Sequence, residues 1–132
     1  MIKLYKEIAR RFPEITNEIT RQNRDLPYVQ MAYVIGWLND MSEETLTPEI
    51  AERIQQFAKW CEEQPRGADA SDDLYTILVV AFYEKMFRSE RTRALLPRIL
   101  SREAVIANSE YYKSWAGAEN YEKALQEYDR SI

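Results

Sequence analysis

Few side chains in this sequence could carry out chemistry. The chain has no histidine, the residue that proteins use most often for proton transfer near neutral pH and for binding transition metals. This absence argues against Ser-His-Asp and Cys-His hydrolases and against nearly every zinc site. The remaining candidates are one cysteine, three glycines and a set of carboxylates.

The one cysteine, Cys61, could in principle be a nucleophile. It follows Ile54 and Phe57 at helical spacing, which places it on an apolar stripe where a thiol is inert packing. A single cysteine cannot form a disulfide within the chain and is typical of a reducing compartment. The glycines are too far apart in sequence to form a phosphate-binding loop. We therefore expect Cys61 in the core and no nucleotide site.

Several carboxylates occur in pairs that could act as acids, bases or metal ligands. Neighbours on a helix point about 100° apart, so adjacent carboxylates diverge and cannot share an ion. Pairs at helical spacing do align, but neither a calcium loop nor a Glu-x-x-His pair accompanies them. We expect no catalytic residue, no metal, no cofactor and no enzyme activity. The adjacent pairs are Glu43 with Glu44, Glu62 with Glu63 and Asp72 with Asp73, and the aligned pairs are Glu14 with Glu18 and Glu49 with Glu52.

The most apolar block of the chain, LYTILVVAF, has one polar side chain. It is too short to cross a membrane, which takes about 20 apolar residues. Its composition suits a strand, but apolar residues continue beyond it at helical spacing to Met86, with acidic residues before it and basic residues after it. The block predicts a central buried helix near 71–88, with Ser71 or Asp72 as its cap.

The other long segments also have helical patterns. Thr47 followed by Pro48 is a helix start, and Gly36 indicates either a close helix crossing or a tolerated glycine. With few glycines and prolines, the composition favours a helical chain. We predict one all-α domain over residues 1–132, an orthogonal or up-down bundle of about six helices. The other predicted helices span 2–11 with a kink near Phe12, 27–41 with Asp25 as cap, 48–64, 101–115 after a break at Pro97, and a last helix after Gly117.

Acidic residues are concentrated in residues 40–73. This segment holds ten Asp or Glu against three Lys or Arg, a net charge of −7, whereas the whole chain carries −4. A solvated surface is one interpretation, and a face that attracts a basic partner is the other. Trp60 adds an aromatic ring that could anchor an interface or lie at the edge of the core. The predicted contact residues are Asp40, Glu43, Glu44, Trp60, Glu62, Glu63, Asp69, Asp72 and Asp73.

Charge also bears on the class of partner. A net negative charge opposes binding to nucleic acid and to anionic membranes. The start, MIKLYKEIARRF, has charges among its apolar residues and lacks the continuous apolar core of a secretory signal. We expect a cytoplasmic protein, monomeric or weakly self-associating, that binds another protein.

Two resemblances extend this expectation. The run from AERIQQFAKWCEEQ through DDLYTILVVAFYEKMF to LLPRILSREAVIANSEYYKSW, residues 51–115, resembles small helical bacterial domains associated with polymorphic toxin loci. This resemblance implies an immunity protein that docks on its cognate toxin, a basic domain, and blocks the catalytic cleft or its substrate route. The C-terminal YYKSWAGAENYEKALQEYDRSI resembles a tetratricopeptide helix pair, which implies the alternative of a helical scaffold or adaptor that self-associates.

Overall fold

A computed structural model describes residues 4–18, 23, 25–41, 44–69 and 73–130. Within these ranges the chain forms eight α-helices and one 3₁₀ helix, with no strand. The predicted all-α domain is confirmed. The expected number of about six helices is too low. Residues 90–99 form a helix of their own, and the predicted helix over 101–115 is two helices.

The N-terminal part breaks at the predicted place. Helix α1 spans Leu4–Arg11, and a 3₁₀ helix spans Pro13–Glu18. Pro13 fixes its own φ and has no N–H, so it can begin a helical turn but cannot continue one. Phe12 lies at the break with its ring fully buried, in an edge-on contact with Phe57 at a centroid distance of 5.3 Å. The predicted kink is confirmed.

Helix α2 spans Pro27–Asn39 and α3 spans Pro48–Glu63. The start of α3 is as predicted, because the Thr47 hydroxyl accepts a hydrogen bond from the Ile50 N–H at 3.3 Å and a proline follows. The predicted cap of α2 is wrong. Leu26, not Asp25, precedes α2, with no side-chain cap hydrogen bond, and Pro27 in the first turn removes one N–H that would need an acceptor.

Helix α4 is the central helix, over residues 74–86, with a π-helical turn at Val79–Tyr83. It contacts α2 and α3 and two of the helices that follow it, so it is enclosed on several sides as the apolar block predicted. Its cap is Asp73, whose carboxylate accepts from the Thr76 N–H at 3.2 Å, in place of Ser71 or Asp72. Ser71 and Asp72 lie outside the described residues.

Helix α5 spans Glu90–Ile99 and contains Pro97, so the predicted break there is wrong. The Leu100 N–H donates to the Leu96 carbonyl at 2.9 Å, closing the last turn around the proline. The Tyr128 hydroxyl donates to the Leu100 carbonyl at 2.7 Å and to the Leu96 carbonyl at 3.3 Å. Carbonyls at a helix end need outside donors, and this tyrosine supplies one.

The predicted helix over 101–115 is two helices, α6 at Arg102–Ala107 and α7 at Ser109–Ala116. Asn108 between them has non-helical dihedral angles, which turns the chain. Gly117 follows with φ of 96°, a left-handed conformation that glycine adopts without strain. Helix α8, Ala118–Arg130, packs against α7, and these two helices form the predicted C-terminal pair. Helix α8 also packs against α5.

Candidate protein-binding site

Helix α3 lies in the middle of the acidic segment and carries four of its ten carboxylates, Glu49, Glu52, Glu62 and Glu63. It buries Ile54, Phe57 and Cys61 against the core, which confirms the predicted stripe and the packing role of the cysteine. Burial raises the pKa of the Cys61 thiol far above its ordinary value, because the thiolate would lose its hydration. The opposite face of α3 is exposed. At about 1.5 Å per residue, the helix separates its two ends by about 24 Å.

The first acidic end precedes α3. Asp40 ends α2 and Glu44 lies in the turn that follows, and both are exposed. Two arginines hold this connection to α5: Arg91 donates to the Met41 carbonyl at 2.9 Å, and Arg98 donates to the Leu46 carbonyl at 2.5 Å. The backbone here is therefore fixed while the carboxylates face solvent. Glu43, also predicted as a contact residue, lies outside the described residues.

The second acidic end lies where α3 finishes. Glu62, Glu63 and Asp69 are exposed, and the Tyr83 hydroxyl donates to Glu62 at 3.1 Å. Trp60 is half-buried and packs against the core, so only part of this residue is accessible to a partner. We call Asp40 and Glu44 together with Glu62, Glu63 and Asp69 the acidic ends of α3. They occupy two places on the molecule and do not form one continuous face.

Asp73 has a different environment from the other predicted contact residues. It is only 4% exposed, and its carboxylate accepts from the Arg66 guanidinium at 2.8 and 2.9 Å and from the Gly67 N–H at 2.8 Å. Together with the Thr76 hydroxyl and N–H, these donors hold the pKa of Asp73 well below its usual range, with Arg66 the largest cause. Asp73 thus ties the 64–69 connection to the start of α4, and its charge is balanced by Arg66.

Three of the four carboxylates in the aligned pairs have described side chains, and the side chain of Glu18 lies outside the described part of the chain. Glu14 accepts from Arg53 at 2.7 and 3.0 Å, and this hydrogen bonding lowers the pKa of Glu14. Glu49 and Glu52 are exposed on α3. In the described ranges no group of three or more cysteines and carboxylates could hold a metal ion.

A second feature, a groove between α2 and α4, was not predicted. Its volume is about 510 Å³, within the usual range of binding clefts. We call it the α2 groove; the described residues that line it are Tyr28, Ala32, Ile35, Asn39, Val80, Ala81, Lys85, Arg88 and Ser89. The sequence signal was α2 itself, which has no charged residue over its whole length.

Comparison of the chain with protein-family models, with curated proteins and with solved structures finds no match. Among the described helices, none is both long and apolar enough to cross a membrane. Function must therefore be argued from the surfaces themselves.

Proposed function

We propose that this chain is a protein-binding module of the immunity type, which neutralises a cognate bacterial toxin by docking the acidic ends of α3 on it. One observation carries the proposal: exposed carboxylates stand at both ends of a rigid helix, within a segment of net charge −7. In the described part of the chain, no lysine or arginine forms an ion pair with Asp40, Glu44 or Glu63.

Unbalanced surface charge acts at a distance. A cluster of one sign raises the rate at which an oppositely charged partner is captured, and this effect weakens as salt is added. Acidic residues at both ends of a helix about 24 Å long would match a partner that has two basic patches, or one long one. Trp60 would supply an aromatic contact beside the second end, and we leave the internally paired Asp73 out of the contact surface. The proposal implies a basic toxin as partner and a cytoplasmic location.

The scaffold alternative is less well supported by the packing. Its contact element would be the C-terminal helix pair, α7 with α8. The apolar side of α8 already faces the core, where Tyr121, Ala124 and Tyr128 are buried. The outer positions of α8 are largely charged or polar, so in this pair the exposed large apolar side chain is Trp115 of α7 and α8 itself offers little apolar surface for self-association.

The test is affinity purification from the native host with matched baits. One bait is the wild type, and a second carries Asp40→Lys, Glu44→Lys and Glu63→Lys. A control bait carries Glu103→Lys, Glu110→Lys and Glu122→Lys, which changes the net charge equally at exposed sites on other helices. We expect a basic protein to be retained by the wild type and the control and lost from the second bait, with retention falling as salt rises.

Co-expression then tests the immunity role. The retained protein should inhibit bacterial growth when produced alone, and this chain should restore growth. Equal retention by all three baits would show that the acidic ends are not the contact surface. A retained partner that does not impair growth would reject the immunity role.

A further inference from the structure

Helix α2 has an outer face that is unusual for a solvent-exposed helix. A helix without charged residues is normally buried on all sides, and α2 has none in 13 residues. Nevertheless Tyr28 and Val29 are each 37% exposed, and Ala32 and Gly36 continue the same face as exposed small residues. A Cβ added to Gly36 would meet no atom within 4 Å, so this glycine does not serve a close helix crossing inside the molecule.

Tyr28 and Ala32 of this face also line the α2 groove. Trp115, on α7, is 63% exposed, the most exposed of the large apolar side chains described. Helix α7 packs against α4, which forms one wall of the groove, and the Tyr111 ring lies 6.3 Å from the Trp115 ring. Tyrosine, tryptophan and arginine are the residues that dominate binding energy in protein interfaces. Two of these residue types, as Tyr28 and Arg88, line the groove itself.

The charge of the groove is opposite to that of the chain. Of the described lining residues, Lys85 and Arg88 are cationic and none is acidic. Glu84, whose side chain is only 3% exposed, forms an ion pair with each of the two cations, at 2.5 Å to Arg88 and 3.4 Å to Lys85. Arg88 also donates to the Trp115 carbonyl at 3.1 Å. Two cations above one buried carboxylate leave the rim with a net positive charge.

We propose that the α2 groove binds a protein segment whose apolar side chains enter the groove and whose carboxylates meet Lys85 and Arg88. The apolar floor requires apolar side chains, and the rim selects acidic residues over basic ones by charge complementarity. Because Arg88 is already held by Glu84 and the Trp115 carbonyl, little side-chain freedom is lost when a carboxylate binds there. This site is independent of the acidic ends of α3 and takes a partner of opposite charge.

The experiment is selection of peptides from a phage-displayed random library against the full chain. Binders are counter-selected on an Ala32→Trp variant, whose new ring fills the groove from an exposed position on α2. We expect the enriched peptides to combine aromatic or aliphatic residues with Asp or Glu. Their affinity, measured by fluorescence anisotropy, should fall about tenfold or more in Ala32→Trp and less steeply in Lys85→Glu.

Matched controls keep the outcome unambiguous. Ala107→Trp places the same ring at an exposed position on α6 outside the groove and should leave the affinity unchanged. Helical content and melting temperature show whether each variant folds, and if Ala32→Trp does not, Tyr28→Ser together with Lys85→Glu takes its place.

Several results would overturn the proposal. They are no enrichment, enrichment of basic peptides, or equal binding by the groove-filled variant. Light scattering that detects a dimer lost in Ala32→Trp would assign the groove to a second copy of the chain and would also overturn it.

Discussion

The acidic ends of α3 and the α2 groove are both exposed, but they are assembled from different parts of the chain. The acidic ends come from one stretch of sequence, residues 40–69, and their carboxylates are exposed to solvent. The groove combines α2 with α4 and borders α7, so its residues are brought together only by the packed core. Charge can therefore be displayed locally, whereas a shaped cavity requires several helices at fixed distances.

Removing core packing next to the groove should have the largest effect. Phe87 is fully buried, and its ring stacks on Tyr112 at a centroid distance of 4.4 Å and lies parallel to Tyr121 at 6.2 Å. Phe87→Ala should lower the free energy of unfolding by about 3–5 kcal/mol, because it removes these contacts and leaves a cavity. Urea unfolding measures the change.

The comparison with Trp115 sharpens this prediction. Trp115→Ala, at an exposed site on α7, should change the unfolding free energy by no more than about 0.5 kcal/mol. If both substitutions cost the same stability, the assignment of Phe87 to the core and of Trp115 to the surface is wrong.

Exchanging charge should separate the two surfaces. The Asp40→Lys, Glu44→Lys and Glu63→Lys variant should bind the basic partner about tenfold more weakly and with a smaller salt dependence. The same variant should bind groove peptides as tightly as the wild type. Isothermal titration at two salt concentrations measures both. Parallel losses for the two ligands would mean that they share one surface.

The contribution of Asp73 to the stability of the fold should depend on pH. Its pKa is lower in the folded chain than its ordinary value of 3.8, so the folded state binds the proton less readily than the unfolded state. The resulting stabilisation is present above pH 3.8 and is lost as pH falls through the lower, folded pKa. Asp73→Asn should lower the melting temperature by several degrees near neutral pH and by less at about pH 3. An equal loss at both values would contradict the ion pair with Arg66.

The smallest effect is expected on the exposed face of α2. Gly36→Ala should raise the free energy of unfolding by about 0.5–1 kcal/mol, because alanine loses less backbone freedom in a helix and its Cβ meets open space. Urea unfolding measures this change as well. A destabilised variant would show that this face is covered in the folded protein.

Helix positions were largely predictable from the sequence. The Thr47-Pro48 start, the break near Phe12 and the turn at Gly117 depend on the local chemistry of single residues. The errors fell where tertiary contacts compete with local signals. Pro97 stays helical because α5 packs on α8, where the Tyr128 hydroxyl donates to carbonyls at the end of α5. Helix α4 is capped by Asp73 because Arg66 and Gly67 hold that carboxylate in place.

The amino-acid sequence by itself determined the helical class, the apolar stripe of α3 and the uneven distribution of charge, because these depend on residue type and spacing along the chain. Only the tertiary structure decided which acidic residues face solvent, that Asp73 is paired internally, and that an uncharged helix and two cations border one groove. Such pairings depend on distances between residues far apart in sequence, and those distances are set by the packing of the core around α4.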